Sequence, residues 1–264
     1  MIDLHSHILH SVDDGARTLE TSLAMAKMAV ADGISVMACT PHFMPGLYDS
    51  ESEDIRQRVA QLNDELQHHG IDLALVVGAD AHMRPDLIDA LRSNRILTLH
   101  DTRYFLFEPP HTTMPRQMDE LLFNTQMAGY VPILTHPERF KWIEQNYEVF
   151  CTLAKSGVWM QITAGSLTGR FGSRAQYWAQ RMLAEGLVSI IATDTHDTRA
   201  RPPLLREAFD VAVTEVGPVE AENLVLNRPT CVLENTPVEE VPPVFIGHRV
   251  VERKASIWQR LFGS

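Results

Sequence analysis

Short unbroken runs of apolar residues recur along the chain, each followed by a stretch whose apolar positions have helical spacing. The runs fall at residues 1–4, 34–39, 73–77, 104–107, 131–134, 158–162 and 188–192. Such continuous runs suit strands buried on both faces, as in a parallel sheet or barrel. Between them, Leu19, Leu23, Ala26 and Val30 mark one face of a helix, and residues 51–69 form a more polar one. Further helices are expected near 115–128, 143–155 and 173–185. Leu204, Leu205, Ala208, Phe209, Ala212 and Val213 define another amphipathic helix. Strand and helix thus alternate about seven times, the signature of an α/β fold with parallel strands. The 264 residues accommodate this as one unit. There is no internal repeat or low-complexity segment. A proline-rich stretch, 236–243, sets off a body of residues 1–235 from a tail, so that 236–264 is expected to be linker and tail.

Composition narrows the picture only at the margins. The formal net charge of −11 argues against a general nucleic-acid binder, which needs a basic face. Cys39, Cys151 and Cys231 form no CxxC pair and no disulfide framework. No apolar run approaches the roughly 18 residues that span a bilayer, and the first residues lack a basic start and an apolar stretch. The expected location is the cytoplasm.

Chemistry enters through position. Almost every apolar run ends in a potential metal ligand. The first leads to His5-Ser6-His7, the second to Thr40-Pro41-His42, the third to Gly78-Ala79-Asp80. The next two lead to Glu108 and to Thr135-His136, and the last to Thr193-Asp194-Thr195-His196. In a parallel barrel the C-terminal strand ends share one face, so these groups would converge. Residues two apart on a strand point the same way, which suits His5/His7 and Asp194/His196. Asp14, in Val12-Asp13-Asp14-Gly15, could fold over the same mouth. Mixed imidazoles and carboxylates suit manganese, iron or zinc. Nine candidate ligands exceed the needs of one tetrahedral ion and could hold two or three. A single His after a strand is usually an ordinary loop residue; six strand ends supplying ligands together are not. His68 and His69 lie at a helix end, and His10, His100, His111 and His248 are expected on the surface or in loops.

These motifs, with His136-Pro137-Glu138-Arg139 and Arg201-Pro202-Pro203, resemble the polymerase-and-histidinol-phosphatase (PHP) superfamily. More narrowly, they resemble its bacterial protein-tyrosine phosphatases of capsule and exopolysaccharide clusters, over about residues 1–235. The resemblance implies a distorted (β/α)7 barrel, TIM-like, with a centre of three divalent ions, usually manganese. It implies that His5, His7, Asp14, His42, Asp80, Glu108, His136, Asp194 and His196 are the ligands, and that Arg139 and Arg201 hold the substrate phosphate. Guanidinium forks suit phosphate oxygens. One departure stands out: the family has Glu where this chain has Asp80, one methylene shorter. His82, two residues on, could face the same way and assist.

The activity implied is hydrolysis of phosphotyrosine on a protein by a hydroxide generated at the metals, the substrate being a membrane-associated tyrosine kinase. Bound ions and the two arginines would outweigh the four carboxylates, so the acidic net charge does not bar an anionic substrate. A small-molecule phosphomonoesterase of the histidinol-phosphatase type is the alternative, and a non-catalytic metal- or partner-binding module is a third. A cysteine-based phosphatase is excluded, because Pro45, Gly157 and Pro237, not arginines, stand six places past the three cysteines. Amidohydrolase barrels with a bridging lysine fit poorly, since none of Lys27, Lys141, Lys155 and Lys254 ends an apolar run. In the tail, Val250, Val251, Ile257, Trp258, Leu261 and Phe262 could share one helical face, with Arg249, Arg253, Lys254 and Arg260 elsewhere. Such a segment could dock on its own barrel, or touch a membrane surface or a membrane-bound kinase.

Overall fold

The computed structural model describes residues 1–244; the amphipathic tail reading lies outside them. The strands are β1 (Ile2–Ser6), β2 (Val36–Cys39), β3 (His42–Phe43), β4 (Ala74–Val77), β5 (Asp80–His82), β6 (Tyr104–Glu108), β7 (Val131–Thr135), β8 (Trp159–Thr163) and β9 (Ile190–Ala192). All seven expected runs form strands, and every ladder is parallel. The helices are α1 (Leu19–Ala31), α2 (Ser52–His68), α3 (Leu87–Arg92), α4 (Met118–Met127), α5 (Ile143–Lys155), α6 (Ala164–Leu167), α7 (Ser173–Ala184), α8 (Arg206–Val216), α9 (Pro218–Glu222) and α10 (Arg228–Leu233). The architecture is a distorted (β/α)7 barrel.

The distortion has a local cause. Two of the seven strands are broken, so the wall divides into a sheet of order β1-β2-β4 and one of order β3-β5-β6-β7-β8-β9. One break falls at Thr40-Pro41, where proline has no N–H for the ladder. The neighbouring strand breaks beside it at Gly78-Ala79. A Cβ on Gly78 would stand 2.9 Å from the Thr40 methyl and 3.0 Å from Leu99. Beyond the breaks the chains pair again as β3 and β5, His42 opposite Asp80. The ring closes at the end that carries the candidate ligands, where His7 N–H donates to Thr195 O (2.9 Å) and Asp194 N–H to His5 O (2.9 Å).

Alternation along β6 shows how the barrel fills. Tyr104 and Leu106 join an apolar cluster with Ile2, Leu4, Ile133, Trp159 and Ile190. Phe105 and Phe107 join the larger cluster with Met25, Ile55, Phe150 and Trp178. Glu108 continues the row of Tyr104 and Leu106 at the C-terminal end. Within the proline-rich stretch the chain stays on the barrel. Tyr104 Oη donates to Thr236 O at 2.7 Å, and buried Arg228 donates to Pro242 O (2.9 Å), Pro243 O (2.7 Å) and the Glu220 carboxylate (2.8 Å).

Candidate metal centre

His5 is the penultimate residue of buried β1, and His7 stands just past its end. Each is oriented through Nδ1. Gln161 Oε1 on β8 lies 2.8 Å from His5 Nδ1, and Asp13 Oδ2 lies 2.6 Å from His7 Nδ1. Oxygen acceptors there fix the Nδ1–H form and leave the Nε2 lone pairs facing inward, 3.3 Å apart. Asp13 reaches His7 because Gly15 lets the loop lie on the His7 backbone: a Cβ at Gly15 would sit 2.1 Å from His7 O. Asp13 also accepts from the N–H groups of Gly15 (2.9 Å) and His42 (3.0 Å). One carboxylate therefore ties the first and second strand ends together.

All nine expected ligands are brought into one region, and each shares a group of closely placed donor atoms with at least two others. His7, Asp14, His42 and His196 form one group. His5 appears in two, with His7 and Asp80 and with His136 and Asp194. Asp194 Oδ1 lies 3.4 Å from His5 Nε2 and 3.3 Å from His7 Nε2. Its other oxygen, Oδ2, accepts from the guanidinium groups of Arg139 and Arg201. Asp194 thus joins the histidine cluster to both expected phosphate-binding arginines. The expected strand geometry of Asp194 and His196 is corrected here. β9 stops at Ala192, and Asp194 stands in a loop at φ +51°, so a strained turn rather than strand alternation aims it. His136 likewise sits just past β7 at φ +36°. Buried Glu138 secures that turn by accepting the Thr163 N–H at 2.9 Å, and burial raises its pKa.

The electrostatics divide the histidines. Burial opposes a charge on His7, but Asp13 and Asp194 overcome it and raise the imidazole to about 9. Burial is overcome at His42 too, where Asp80 and Glu108 raise it to about 11. Burial, and then the positive charge of His7, lower His196 to about 4. Burial and Arg139 hold His136 well below its ordinary value. Burial would favour a neutral Asp194, yet His5, Arg201, His7 and Arg139 hold it well below the ordinary carboxylate range. Asp14 is brought down to about 2 against burial by His196, His7 and His42.

Whether these residues fit divalent ions can be judged from their unmet valences. Asp80 is fully buried, and neither carboxylate oxygen has a hydrogen-bond partner; buried His196 Nε2 has none either. A buried carboxylate without donors is costly unless a cation satisfies it. Asp80 Oδ2 lies 3.6 Å from His5 Nε2 and 3.4 Å from His42 Nδ1, so the shorter side chain still stands between those two imidazoles. Nitrogen and oxygen donors without thiolate suit manganese, iron or zinc. The residues fit.

Several participants escaped sequence reasoning. His111, expected on the surface or in a loop, lies 2.8 Å from Glu108 Oε1 and lines the site cavity, because the turn after β6 folds back over its end. His82, which the sequence placed on the same side as Asp80, lines it too, and so do Tyr48 and Met44, which carried no signal. The Tyr48 ring stacks on His42 at 5.5 Å. Asp13 stands next to Asp14, an expected ligand, and could have been suspected from that. Gln161 carries no local signal.

A parallel barrel whose strand ends gather histidines, carboxylates and two arginines around unsatisfied buried donors defines a metal-binding barrel protein. A family model described as capsular polysaccharide synthesis, CpsB/CapC, matches residues 1–234. The chain belongs to that family. It is 33% identical over 243 residues to tyrosine-protein phosphatase YwqE of Bacillus subtilis (strain 168), covering 92% of this chain and 95% of the relative. It is 30% identical over 234 residues to tyrosine-protein phosphatase CpsB of Streptococcus pneumoniae, covering 87% and 96%. A crystal structure from work on YwqE and CpsB, characterised as metal-dependent tyrosine phosphatases, matches with a TM-score of 0.86 at 33% identity, covering 93% of this chain and 100% of that one. A Listeria monocytogenes lactonase, 13% identical with a TM-score of 0.53, shares the fold alone.

Proposed function

We propose that this chain is a metal-dependent protein-tyrosine phosphatase. Its nine ligands would hold three divalent ions, most readily manganese, and its substrate would be a membrane-associated tyrosine kinase governing capsule or exopolysaccharide synthesis. The observation that carries the reading is Asp194, one oxygen facing His5 and His7 and the other taking Arg139 and Arg201. That arrangement sets two phosphate-binding forks against the ligand cluster. The catalytic unit would span residues 1–235, with 236–264 as linker and tail.

Divalent ions bound there supply a hydroxide nucleophile at neutral pH and neutralise charge on the phosphoryl oxygens. The chain's own residues do the rest. Arg139 and Arg201, at the cavity edge, grip the equatorial oxygens and gain strength as charge develops on them. Asp194 holds both guanidinium groups in place before substrate arrives. Tyr48, stacked on His42, offers an apolar face to an aryl ring. The leaving phenolate, with a conjugate-acid pKa of about 10, demands less protonation than an alkoxide. The cavity, about 220 Å³, is smaller than the roughly 300–1,000 Å³ of sites that enclose whole ligands. That size favours the tip of a protein side chain over a complete metabolite.

The described residues contain no helix long and apolar enough to cross a membrane. The three cysteines are free, which supports a reducing compartment and hence the cytoplasm. Turnover of a phosphotyrosine peptide should exceed that of histidinol phosphate, vanish on chelation and return with manganese. Preference for histidinol phosphate would favour a metabolite phosphatase. Absence of any metal-dependent hydrolysis would leave a binding module and end the proposal.

A further inference from the structure

Beyond the nine residues already discussed, the centre contains a histidine whose surroundings match those of a ligand. We propose that His82 is an additional metal ligand of this chain, sharing an ion with Glu108; this rests on the metal-dependent reading above.

The backbone places it. On β5, Asp80 and His82 share a face, and the β5–β6 register sets His82 opposite Glu108. His82 Nε2 lies 2.5 Å from Glu108 Oε2 and 3.2 Å from His42 Nδ1, while His42 Nδ1 is 3.3 Å from the same Glu108 oxygen. Ligand atoms roughly 2.1 Å from one ion, at tetrahedral to octahedral angles, stand about 3.0–3.4 Å apart. Two of the three separations fall in that range, and the third is shorter.

His82 Nε2 and His42 Nδ1 both face the buried Glu108 Oε2. Glu108 is not short of donors, since its Oε1 already meets His111 at 2.8 Å. The three atoms form one closely placed group of nitrogen and oxygen ligand atoms that a single ion can share.

His42 cannot take this place itself. Its Nε2 faces Asp14 at 3.5 Å in one group, while its Nδ1 faces Glu108 and His82 in another. A neutral imidazole has one lone pair. If His42 serves the ion beside Asp14 through Nε2, its Nδ1–H turns to the Glu108 side, and the ligands left there are Glu108 and His82. His82 is only partly buried, on the cavity wall, so an ion held there faces incoming substrate.

The test uses the full chain labelled with 15N-histidine and loaded with manganese. Nitrogen couplings to the ions are counted by electron–nuclear double resonance in wild type and His82→Ala, and ion affinity is measured against a competing chelator. The count should fall by one imidazole, and the affinity for one ion should fall about tenfold or more. Thermal melting of the metal-free proteins shows whether His82→Ala is folded; should it not be, His82→Gln carries the same count. An unchanged count overturns the inference, even if affinity falls, because His82 then acts only through its contact with His42. Wild type that binds no divalent ion would overturn the phosphatase reading together with this one, whereas metal binding with an unaltered count overturns this inference alone.

Discussion

Replacing Asp13 by Asn isolates the support beneath the first strand end. The Asp13 side chain is almost wholly buried, and three donors converge on it: His7 Nδ1–H at 2.6 Å, the His42 N–H at 3.0 Å and the Gly15 N–H at 2.9 Å. An amide has one oxygen, so its NH2 must face at least one of these donors. In the metal-free protein the His7 imidazole, against the pull of burial, is raised from 6.5 to about 9, chiefly by Asp13 and further by Asp194. That rise corresponds to up to about 3 kcal/mol of stability. A raised imidazole contributes fully below its unfolded value and loses the contribution as pH climbs through the folded one. Asp13 itself is depressed, so its share disappears as pH falls below about 4. Urea unfolding in chelator should therefore show the largest wild-type advantage between about pH 4 and 6.5, shrinking toward pH 9. With metal present, loss of the partner that orients His7 should weaken ion binding about 10–100-fold, or about 1.4–2.7 kcal/mol. Chelator competition at pH 7.5 or so measures this directly. An Asp13→Asn protein that binds metal within about twofold of wild type, with a pH-independent stability difference, would refute the reasoning.

Other outcomes follow from the same geometry. Arg201→Lys and Arg139→Lys should each lower kcat/KM for an aryl phosphate about 10–100-fold, because a point charge replaces a fork worth roughly 1.5–3 kcal/mol; unchanged kcat/KM would remove the arginines from substrate binding. Ion affinity should rise with pH through neutrality, since His7 and His42, raised to about 9 and about 11 against burial by neighbouring carboxylates, must shed protons to bind metal. Calorimetry in buffers of different ionisation heat should detect that release, and zero protons released would contradict it. Arg228→Ala should destabilise the fold by about 3–5 kcal/mol, because Glu220 is left buried and unpaired and Pro242 and Pro243 lose their donor. A urea midpoint within error of wild type would show that this pair does not anchor the end of the barrel.

The amino-acid pattern by itself determined the barrel and the positions of the candidate ligands. Apolar runs that alternate with helical patterns fit parallel strands buried under helices, and a candidate ligand at the end of each run inherits the common face. His5, His42, Glu108 and His136 were legible for that reason. Tertiary structure alone decided what supports them and how the ring deforms. Gln161 meets His5 across 156 positions of chain, and no local rule couples β8 to β1. The breaks at Thr40-Pro41 and Gly78-Ala79 lie side by side because a proline in one strand and a crowded glycine in its neighbour interrupt the ladder at one level. His111 looked like any loop histidine until the turn after β6 folded back onto Glu108. Strand periodicity is a property of neighbours in sequence, whereas the partners of a buried donor are set by whichever segments packing brings within about 3 Å.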